Sequence, residues 1–253
     1  GHRMIPGVND LRARLHRRGH HPGTRAANLR PADDHPPVAR QHRGGAAVLG
    51  AIRNAAALKL PLNIVGLLPA SENMPSGSAL KPGDVLKTMS GQTIEIINTD
   101  AEGRLILSDA LTYACRYKPS AIIDIATLTG ACRIALGTEA IGMVGSSEQL
   151  KQALREAGDK TGERVWELPL WDGYFDLIKS DIADMKNTGG RDGSVITAAC
   201  LLSKFVEKYP WVHLDIAAMA WTDKEKPYTP KGATGIGSRL LTQFLRDQAA
   251  SKR

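Results

Sequence analysis

The feature that most constrains the fold is a regular alternation, downstream of Arg43, of short apolar segments with longer amphipathic ones. The short segments are apolar throughout, which predicts buried strands; they are SAIIDIAT, IGMVGS and WVHLDIAA. The longer segments have helical spacing; they are GGAAVLGAIRNAAALKL, the stretch from about Gly103 to Tyr117, and residues 147–158, 193–208 and 233–249. Strands that alternate with crossover helices predict an α/β fold, with a mixed, mostly parallel sheet flanked by helices on both faces.

Two further strand predictions come from the region between the first two helices. The apolar run LNIVGLLP, residues 62–69, predicts another buried strand. The run DVLKTMSGQTIEIINT predicts two strands joined by a turn at Ser90-Gly91. This turn precedes the stretch with the strongest chemical signal in the chain.

The composition changes abruptly near Arg43. Residues 1–43 contain nine Arg, no Lys, three Asp and no Glu, so they carry +6 of the net charge of +7, together with six of the seven His. They show neither helical nor strand periodicity, which predicts an irregular or disordered segment over residues 1–43 and a folded unit over residues 44–253. A GC-rich coding region translated out of frame would give the same composition, a hypothesis that the nucleotide sequence would settle.

Several classes of protein are disfavoured by composition. The three cysteines are odd in number and widely spaced, so neither a disulfide framework nor a CxxC motif is predicted, and a cytoplasmic location is expected. No apolar run approaches the length of a membrane span, and no signal peptide is expected. The charge of residues 1–43 leaves open a nucleic-acid-binding role, although that segment has no aromatic residue to stack on bases.

The residues best suited to chemistry lie in IINTDAEGRL, where a predicted strand ends and a predicted helix begins. Asp100 and Glu102 are two positions apart in extended chain, so their carboxylates can reach one pair of metal ions. Such hard oxygen ligands suit Mn²⁺, Zn²⁺ or Mg²⁺, and Arg104 can bind an anion beside them. A structural alternative makes Asp100 a helix N-cap and Glu102 a first-turn acid favoured by the helix dipole.

A longer string of residues favours the metal-binding interpretation. NTDAEGRL resembles the signature of the M17 leucyl aminopeptidase family. Other segments are similar to the family in the same order; they are GGAAVLGA at 44–51, PASENMPSGSALKPGDVLKTMSGQTIEI at 69–96, DIATLTGA at 124–131, ADMKNTGG at 183–190 and HLDIA at 213–217. The resemblance implies that residues 44–253 are an aminopeptidase catalytic domain that is incomplete at its N-terminus.

The resemblance implies a metallo-aminopeptidase that releases N-terminal amino acids, with a leucine-type preference, by two-metal hydrolysis. Asp100 and Glu102 would be ligands of two divalent cations, and Arg104 would bind a bicarbonate ion that assists proton transfer. Matches to substrate-binding positions of the family are Asn98, Thr127, Leu128, Gly130 and Ala217. A homo-hexamer acting on peptides with a free N-terminus is also implied.

Two groups of residues have a structural interpretation beside the functional one. A buried strand followed by a glycine turn would also explain the TLTG sequence at 127–130. His213 and Asp215 lie on one face of a predicted strand and could ligate a metal, but a core histidine bonded to a neighbouring acid is the favoured interpretation.

The resemblance fails before Gly44. There the family has a K-G-x-x-x-D-x-G-G segment, a second Lys and D-M-G-G, which supply further ligands and the catalytic lysine. In this chain His42-Arg43 replaces Asp-Met, and no Lys precedes Lys59. Two divalent ions carry four positive charges, against two negative charges on Asp100 and Glu102. The sequence therefore predicts weak metal binding and little or no peptidase activity, with a non-catalytic structural subunit as an alternative.

Overall fold

A computed structural model describes residues 43–251, apart from residues 72, 74 and 226. The described helices are α1 (Arg43–Ala57), α2 (Gly103–Cys115), α3 (Gly130–Leu136), α4 (Glu148–Thr161), α5 (Asp172–Asp176), α6 (Ser194–Ser203) and α7 (Ser238–Ala250). The described strands are β1 (Val85–Lys87), β2 (Thr93–Glu95), β3 (Ile122–Ala126), β4 (Ile141–Gly145), β5 (Val165–Glu167), β6 (Met185–Lys186), β7 (Trp211–Asp215), β8 (Trp221–Thr222) and β9 (Gly232–Ala233). The predictions for residues 1–42 lie outside the described residues.

The central sheet has four strands in the order β3-β7-β4-β5. β3 is parallel to β7 and β4 is parallel to β5, whereas β4 and β7 are antiparallel. Every residue of β7 is buried, because this strand has a neighbour on each side and helices on each face. The prediction of a mixed, mostly parallel sheet is therefore confirmed.

Helices cover both faces of this sheet and create two apolar clusters. On one face α1, α4 and α7 pack together, with Leu154 and Leu240 fully buried against Leu214 of the sheet. On the other face α2 and α6 pack together over Trp211. Each large aliphatic side chain removed from water in this way contributes about 1.5–3 kcal/mol to stability.

A second, smaller sheet positions the site. β1 and β2 are antiparallel and joined by the predicted turn at Ser90-Gly91, where Gly91 has a φ of +91° that favours glycine. β6 pairs with β2 in parallel. The chain leaves the carboxyl end of β2, forms a short 3-10 turn at Thr99–Ala101 and enters α2.

The prediction of a buried strand over residues 62–69 is wrong. These residues run beside α1, where Gly66 lies so close to Ile52 that a side chain at this position would collide with it. No described strand pairs with them, so the ladder hydrogen bonds that define a strand are not formed. None of these residues is buried, and Val65 is 55% exposed. The apolar run reflects packing along a helix.

Two predicted helices differ from the observed ones by five residues at one end. α6 stops at Ser203, five residues short of the predicted end, and α7 begins at Ser238 because the preceding Gly232–Ala233 pairs with β8. None of the described helices is long and apolar enough to span a membrane.

Candidate active site

An open groove of about 1200 Å³ lies between α1, residues 61–71, α2 and β3. Its polar end is lined by predicted site residues from two different parts of the chain, namely Asp100, Glu102, Arg104, Thr127 and Leu128. These residues follow the carboxyl ends of β2 and β3, the edge at which ligands collect in open α/β sheets.

Residues 97–104, here called the carboxylate turn, form one side of this end. Asn98 caps the 3-10 turn, because its Oδ1 accepts a hydrogen bond of 3.0 Å from the Asp100 N–H. Asp100 is exposed, and Glu102 is half-buried at the N-cap position of α2 without a capping side-chain bond. Asn98 therefore caps the 3-10 turn in place of Asp100, and the side chain of Glu102 makes no capping bond to α2.

Charge is concentrated in this turn. Burial raises the pKa of Glu102, and repulsion from Asp100 raises it further. The Nδ2 group of Asn73 donates to Glu102 Oε2 at 2.9 Å and to the Thr99 carbonyl oxygen at 3.1 Å, which fixes the Glu102 side chain. Two carboxylates that repel each other at the edge of a groove are suited to binding a cation.

Arg104 lies at the inner end of the turn and is buried. Its Nη1 donates to the carbonyl oxygen of Asn187 at 2.9 Å, and its Nε has no hydrogen-bond partner among the described residues. Burial lowers the pKa of Arg104 to about 10, so the guanidinium stays charged at neutral pH. A buried guanidinium with an unused N–H is suited to binding an anion.

The loop of residues 127–130, here called the substrate loop, forms the other side. Asp215, fully buried at the end of β7, accepts hydrogen bonds from the N–H groups of Leu128 (3.2 Å) and Thr129 (3.0 Å) and from the Thr129 hydroxyl (2.7 Å). The Ala217 N–H donates to the same carboxylate at 3.0 Å. The loop is therefore held from below by a carboxylate in the core.

The two sides of the site touch each other. A Cβ at Gly103 would lie 3.2 Å from Leu128 Cδ1, so the substrate loop packs closely over the start of α2. Asp215 also interacts electrostatically with Arg104, which stabilises the charged guanidinium. A substitution on either side is therefore expected to perturb the other side.

His213 belongs to the core rather than to the groove. Its Nδ1 is 2.5 Å from Asp124 Oδ1, and the Trp211 indole N–H donates to Asp124 Oδ2 at 2.7 Å. The favoured interpretation of a core histidine bonded to an acid is confirmed, with Asp124 as the partner. Burial alone would disfavour the imidazolium, but the charge and hydrogen bond of Asp124, together with the charge of Asp215, outweigh it and raise the pKa of His213.

The remaining predicted substrate-binding residues do not line the groove, although they adjoin residues that do. Asn98 caps the turn of Asp100, Ala217 shares Asp215 with Leu128, and Gly130 is the exposed first residue of α3. Three buttressing residues were not predicted from sequence: Asn73, Asn187 and Asp215 in its loop-binding role. The first two lie inside the motifs SENMPSG and ADMKNTGG, but an amide side chain gives no local signal of its distant partner.

Within the described part of the chain, no group of three or more His, Cys, Asp or Glu residues could hold a metal ion. Asp100 and Glu102 supply two carboxylates and two negative charges, with Asn73 already bonded to one of the Glu102 oxygens. Such a donor set fits a single divalent cation and does not by itself fit a pair.

The sequence of the chain matches a family model described as the cytosol aminopeptidase family, catalytic domain, over residues 24–242. The chain belongs to the cytosol aminopeptidase family. Its resemblance to M17 peptidases is thus confirmed. Among relatives in this family, the probable cytosol aminopeptidases of Geobacter sulfurreducens and Geotalea uraniireducens are 56% and 58% identical to it over 219 residues.

Those alignments cover 87% of this chain but 44% of each relative, so the chain spans less than half the length of the curated proteins it matches. Solved structures of the family are also similar. The bottromycin maturation enzyme BotP in complex with Mn has a TM-score of 0.78 and 42% identity, over 81% of this chain and 46% of that one. A mutant of tomato leucine aminopeptidase has a TM-score of 0.73 and 40% identity, over 80% of this chain and 40% of that one.

Proposed function

We propose that this cytosol aminopeptidase family chain is the catalytic portion of a metal-dependent enzyme that releases N-terminal, leucine-type residues from peptides. The observation that carries the proposal is the convergence of Asp100, Glu102 and Arg104 with the substrate loop at one end of one groove. A negative pair beside a buried guanidinium can bind a cation and an anion side by side. Family membership supplies the reaction class.

In this proposal Asp100 and Glu102 hold the divalent cation. When bound, such an ion acidifies a water and polarises a carbonyl, which is the chemistry that peptide hydrolysis requires. The similar enzyme BotP was solved in complex with Mn, which favours Mn²⁺ here. Zn²⁺ or Mg²⁺ would suit the same oxygen ligands. Arg104 offers its free Nε–H to an anion, for which bicarbonate is our candidate.

The substrate loop has a restricted way to meet a peptide. Asp215 takes the N–H groups of Leu128 and Thr129, so these two donors are unavailable to a substrate. We propose that the loop contacts peptide backbone through its carbonyl oxygens and through the exposed Gly130, with Thr127 and Leu128 facing the groove. Asn98 and Ala217 then lie at the two flanks of the bound peptide.

We further propose that this chain is impaired as it stands. Two divalent ions would bring four positive charges to a turn with two carboxylates, and the described residues provide no third acidic, His or Cys ligand. A single, weakly held cation is the expected state. By analogy with the names of its relatives we place the protein in the cytoplasm, and by family resemblance we propose a homo-hexamer.

The test combines a metal count with an activity assay on the 253-residue chain. After loading with Mn²⁺ and buffer exchange, we expect fewer than two ions per chain and hydrolysis of L-leucine p-nitroanilide close to background. The Asp100→Asn, Glu102→Gln double variant should lose the bound ion. Equal Mn²⁺ binding by parent and variant would remove the site assignment, and rapid hydrolysis with two retained ions would contradict the impairment. Oligomers without bound metal would favour a structural subunit.

A further inference from the structure

Asn187 lies directly beneath the carboxylate turn without lining the groove. It follows β6, and its N–H donates to the Glu95 carbonyl oxygen at 2.9 Å, which extends the parallel pairing of β2 and β6 by one residue. The residue has no exposed surface. A buried primary amide must place its donors and acceptors against partners in the protein, so its contacts identify what it does.

Among the described residues, the side chain of Asn187 bonds only to the backbone at the start of the carboxylate turn. Its Oδ1 accepts from the N–H groups of Ile97 (2.8 Å) and Asn98 (3.3 Å), and its Nδ2 donates to the Asn98 carbonyl oxygen at 2.6 Å. Asn98 in turn accepts the Asp100 N–H. The main chain that carries Asp100 is therefore fixed through Asn98 by a buried amide.

The backbone of Asn187 holds the other end of the same turn. Its carbonyl oxygen accepts the 2.9 Å hydrogen bond from Arg104 Nη1. One residue thus contacts the chain before Asp100 and the guanidinium after Glu102. Only a side chain that both donates and accepts completes this arrangement, because aspartate of the same shape can accept from Ile97 and Asn98 but cannot donate to the Asn98 carbonyl.

We propose that Asn187 is a positioning residue, which sets the spacing between the cation-binding carboxylates and the anion-binding Arg104. This inference rests on the proposed function. It does not require Asn187 to touch substrate or metal. Groups that orient metal ligands from behind typically change metal affinity 10- to 100-fold when they are altered.

The test compares Asn187→Asp with the parent 253-residue chain and with Glu163→Gln as a matched control. Glu163 is also buried and accepts hydrogen bonds from the Gly237 and Leu240 N–H groups, but it lies with α4 and α7 on the opposite face of the central sheet. Three quantities are measured for each protein: the free energy of unfolding in urea, amide hydrogen exchange, and Mn²⁺ affinity by electron paramagnetic resonance titration.

We expect Asn187→Asp to speed exchange of the Asp100 amide about tenfold, because the lost bond to the Asn98 carbonyl loosens Asn98, which accepts that amide. The Ile97 and Asn98 amides keep a carboxylate acceptor and should change less. Mn²⁺ affinity should fall about tenfold, as for other groups that orient metal ligands. Glu163→Gln should lose stability without either change. If Asn187→Asp loses stability like the control but keeps the Asp100 exchange rate and the Mn²⁺ affinity of the parent, its role is structural only and the proposal is overturned.

Two further readings separate the possible failures. If the parent binds no Mn²⁺ that the Asp100→Asn, Glu102→Gln variant loses, the proposed function fails, while the exchange rates still decide whether Asn187 positions the turn. If Asn187→Asp does not fold, hydrogen exchange in the parent chain tests the proposal instead. Slow exchange of the Asn187 Nδ2 protons, in step with the Asp100 amide, supports positioning, and exchange at the rate of a free side-chain amide overturns it.

Discussion

The two sides of the candidate site are anchored in different ways. The substrate loop rests on Asp215, a carboxylate with no exposed surface that receives bonds from three N–H groups and one hydroxyl. The carboxylate turn rests on the neutral amides of Asn187 and Asn73, and its own charged residue Asp100 is exposed. The loop is therefore anchored on a charge in the core, whereas the turn is held by neutral amides beside a small sheet.

Because of this difference, we expect the loop side to contribute more to stability and the turn side to carry the chemistry. A buried charge that satisfies several donors is costly to remove, since its partners are left unpaired in a low-dielectric interior. Exposed or partly exposed carboxylates that repel each other contribute little to stability and can be changed without unfolding the protein. The carboxylates of the turn can therefore be substituted with little loss of stability, whereas the carboxylate that supports the loop cannot. The predictions below test this contrast.

The largest expected effect is on the loop side. Asp215→Ala removes the carboxylate that most favours the charged form of Arg104 and leaves the amides of Leu128 and Thr129 unpaired, so the free energy of unfolding should fall by about 3–5 kcal/mol. Asp100→Ala, on the turn, should change it by less than about 0.5 kcal/mol. Urea unfolding of both variants at pH 7 measures the difference. Equal losses would show that the two sides are anchored alike.

A smaller effect is expected from the hydroxyl of Thr129. This group donates to Asp215 at 2.7 Å and accepts the Cys132 N–H at 3.1 Å as the N-cap of α3. Thr129→Val should cost about 1–2 kcal/mol of unfolding free energy. Thr129→Ser keeps the hydroxyl and is the matched control.

The corresponding change on the turn is Asn73→Ala, which removes the bond to Glu102. Because this pair is exposed, the loss should stay below about 1 kcal/mol. A larger loss for Asn73→Ala than for Thr129→Val would reverse the contrast between the two sides.

Local patterns were sufficient to predict the elements that flank the site. The apolar run before Thr127 and the helical spacing after Gly103 gave β3 and α2 close to their observed bounds. Residues 62–69 carry the same kind of apolar run but form no strand, because a strand depends on a neighbour that the run itself does not encode. Composition alone cannot distinguish these two cases.

The supports of the site could not be predicted for a related reason. Asn187 lies 89 positions from Asn98, and Asp215 lies 86 positions from Thr129. Asparagine and aspartate are ordinary surface residues in most sequences, and nothing near them in the chain signals a distant backbone partner. The motif at Asp100 was informative because its functional groups lie within a few residues of one another.

The core beneath the loop should also respond to pH. The pKa of His213 is raised by Asp124, with Asp215 adding to the effect and Arg104 opposing it. The folded state therefore holds the proton more tightly than the unfolded state. This stabilisation is complete below the unfolded pKa of about 6.5 and is lost as pH rises through the folded value. Urea unfolding between pH 5.5 and 8.5 should show declining stability.

His213→Gln is the variant that identifies the group responsible for this decline. It lacks the titrating ring, so its unfolding free energy should be lower throughout but nearly independent of pH in this range. A decline that persists in His213→Gln would assign the pH dependence to another residue and would leave the buried Asp124–His213 pair unprotonated near neutrality.

The smallest expected effect is a gain on the turn. Burial and Asp100 raise the pKa of Glu102, so the folded state resists its ionisation, and stability falls as pH rises from the unfolded carboxyl value through the folded one. In a metal-free buffer at pH 7, Glu102→Gln should therefore raise the free energy of unfolding, by less than about 1 kcal/mol because the site is partly exposed. Near pH 3.5, where the parent carboxyl is protonated in both states, the difference should vanish.

Asp184 provides a control of opposite sign. Hydrogen bonds from the Thr93 N–H and hydroxyl lower the pKa of Asp184, so Asp184→Asn should lose stability at pH 7 and recover relative to the parent in acid. A gain for Glu102→Gln beside a loss for Asp184→Asn would show that the turn holds its carboxylates against their electrostatic preference. Repulsion of this kind between carboxylates is expected where a bound cation normally offsets their negative charge. A loss in both variants would instead make Glu102 a structural acid, and the two sides of the groove would then differ only in burial.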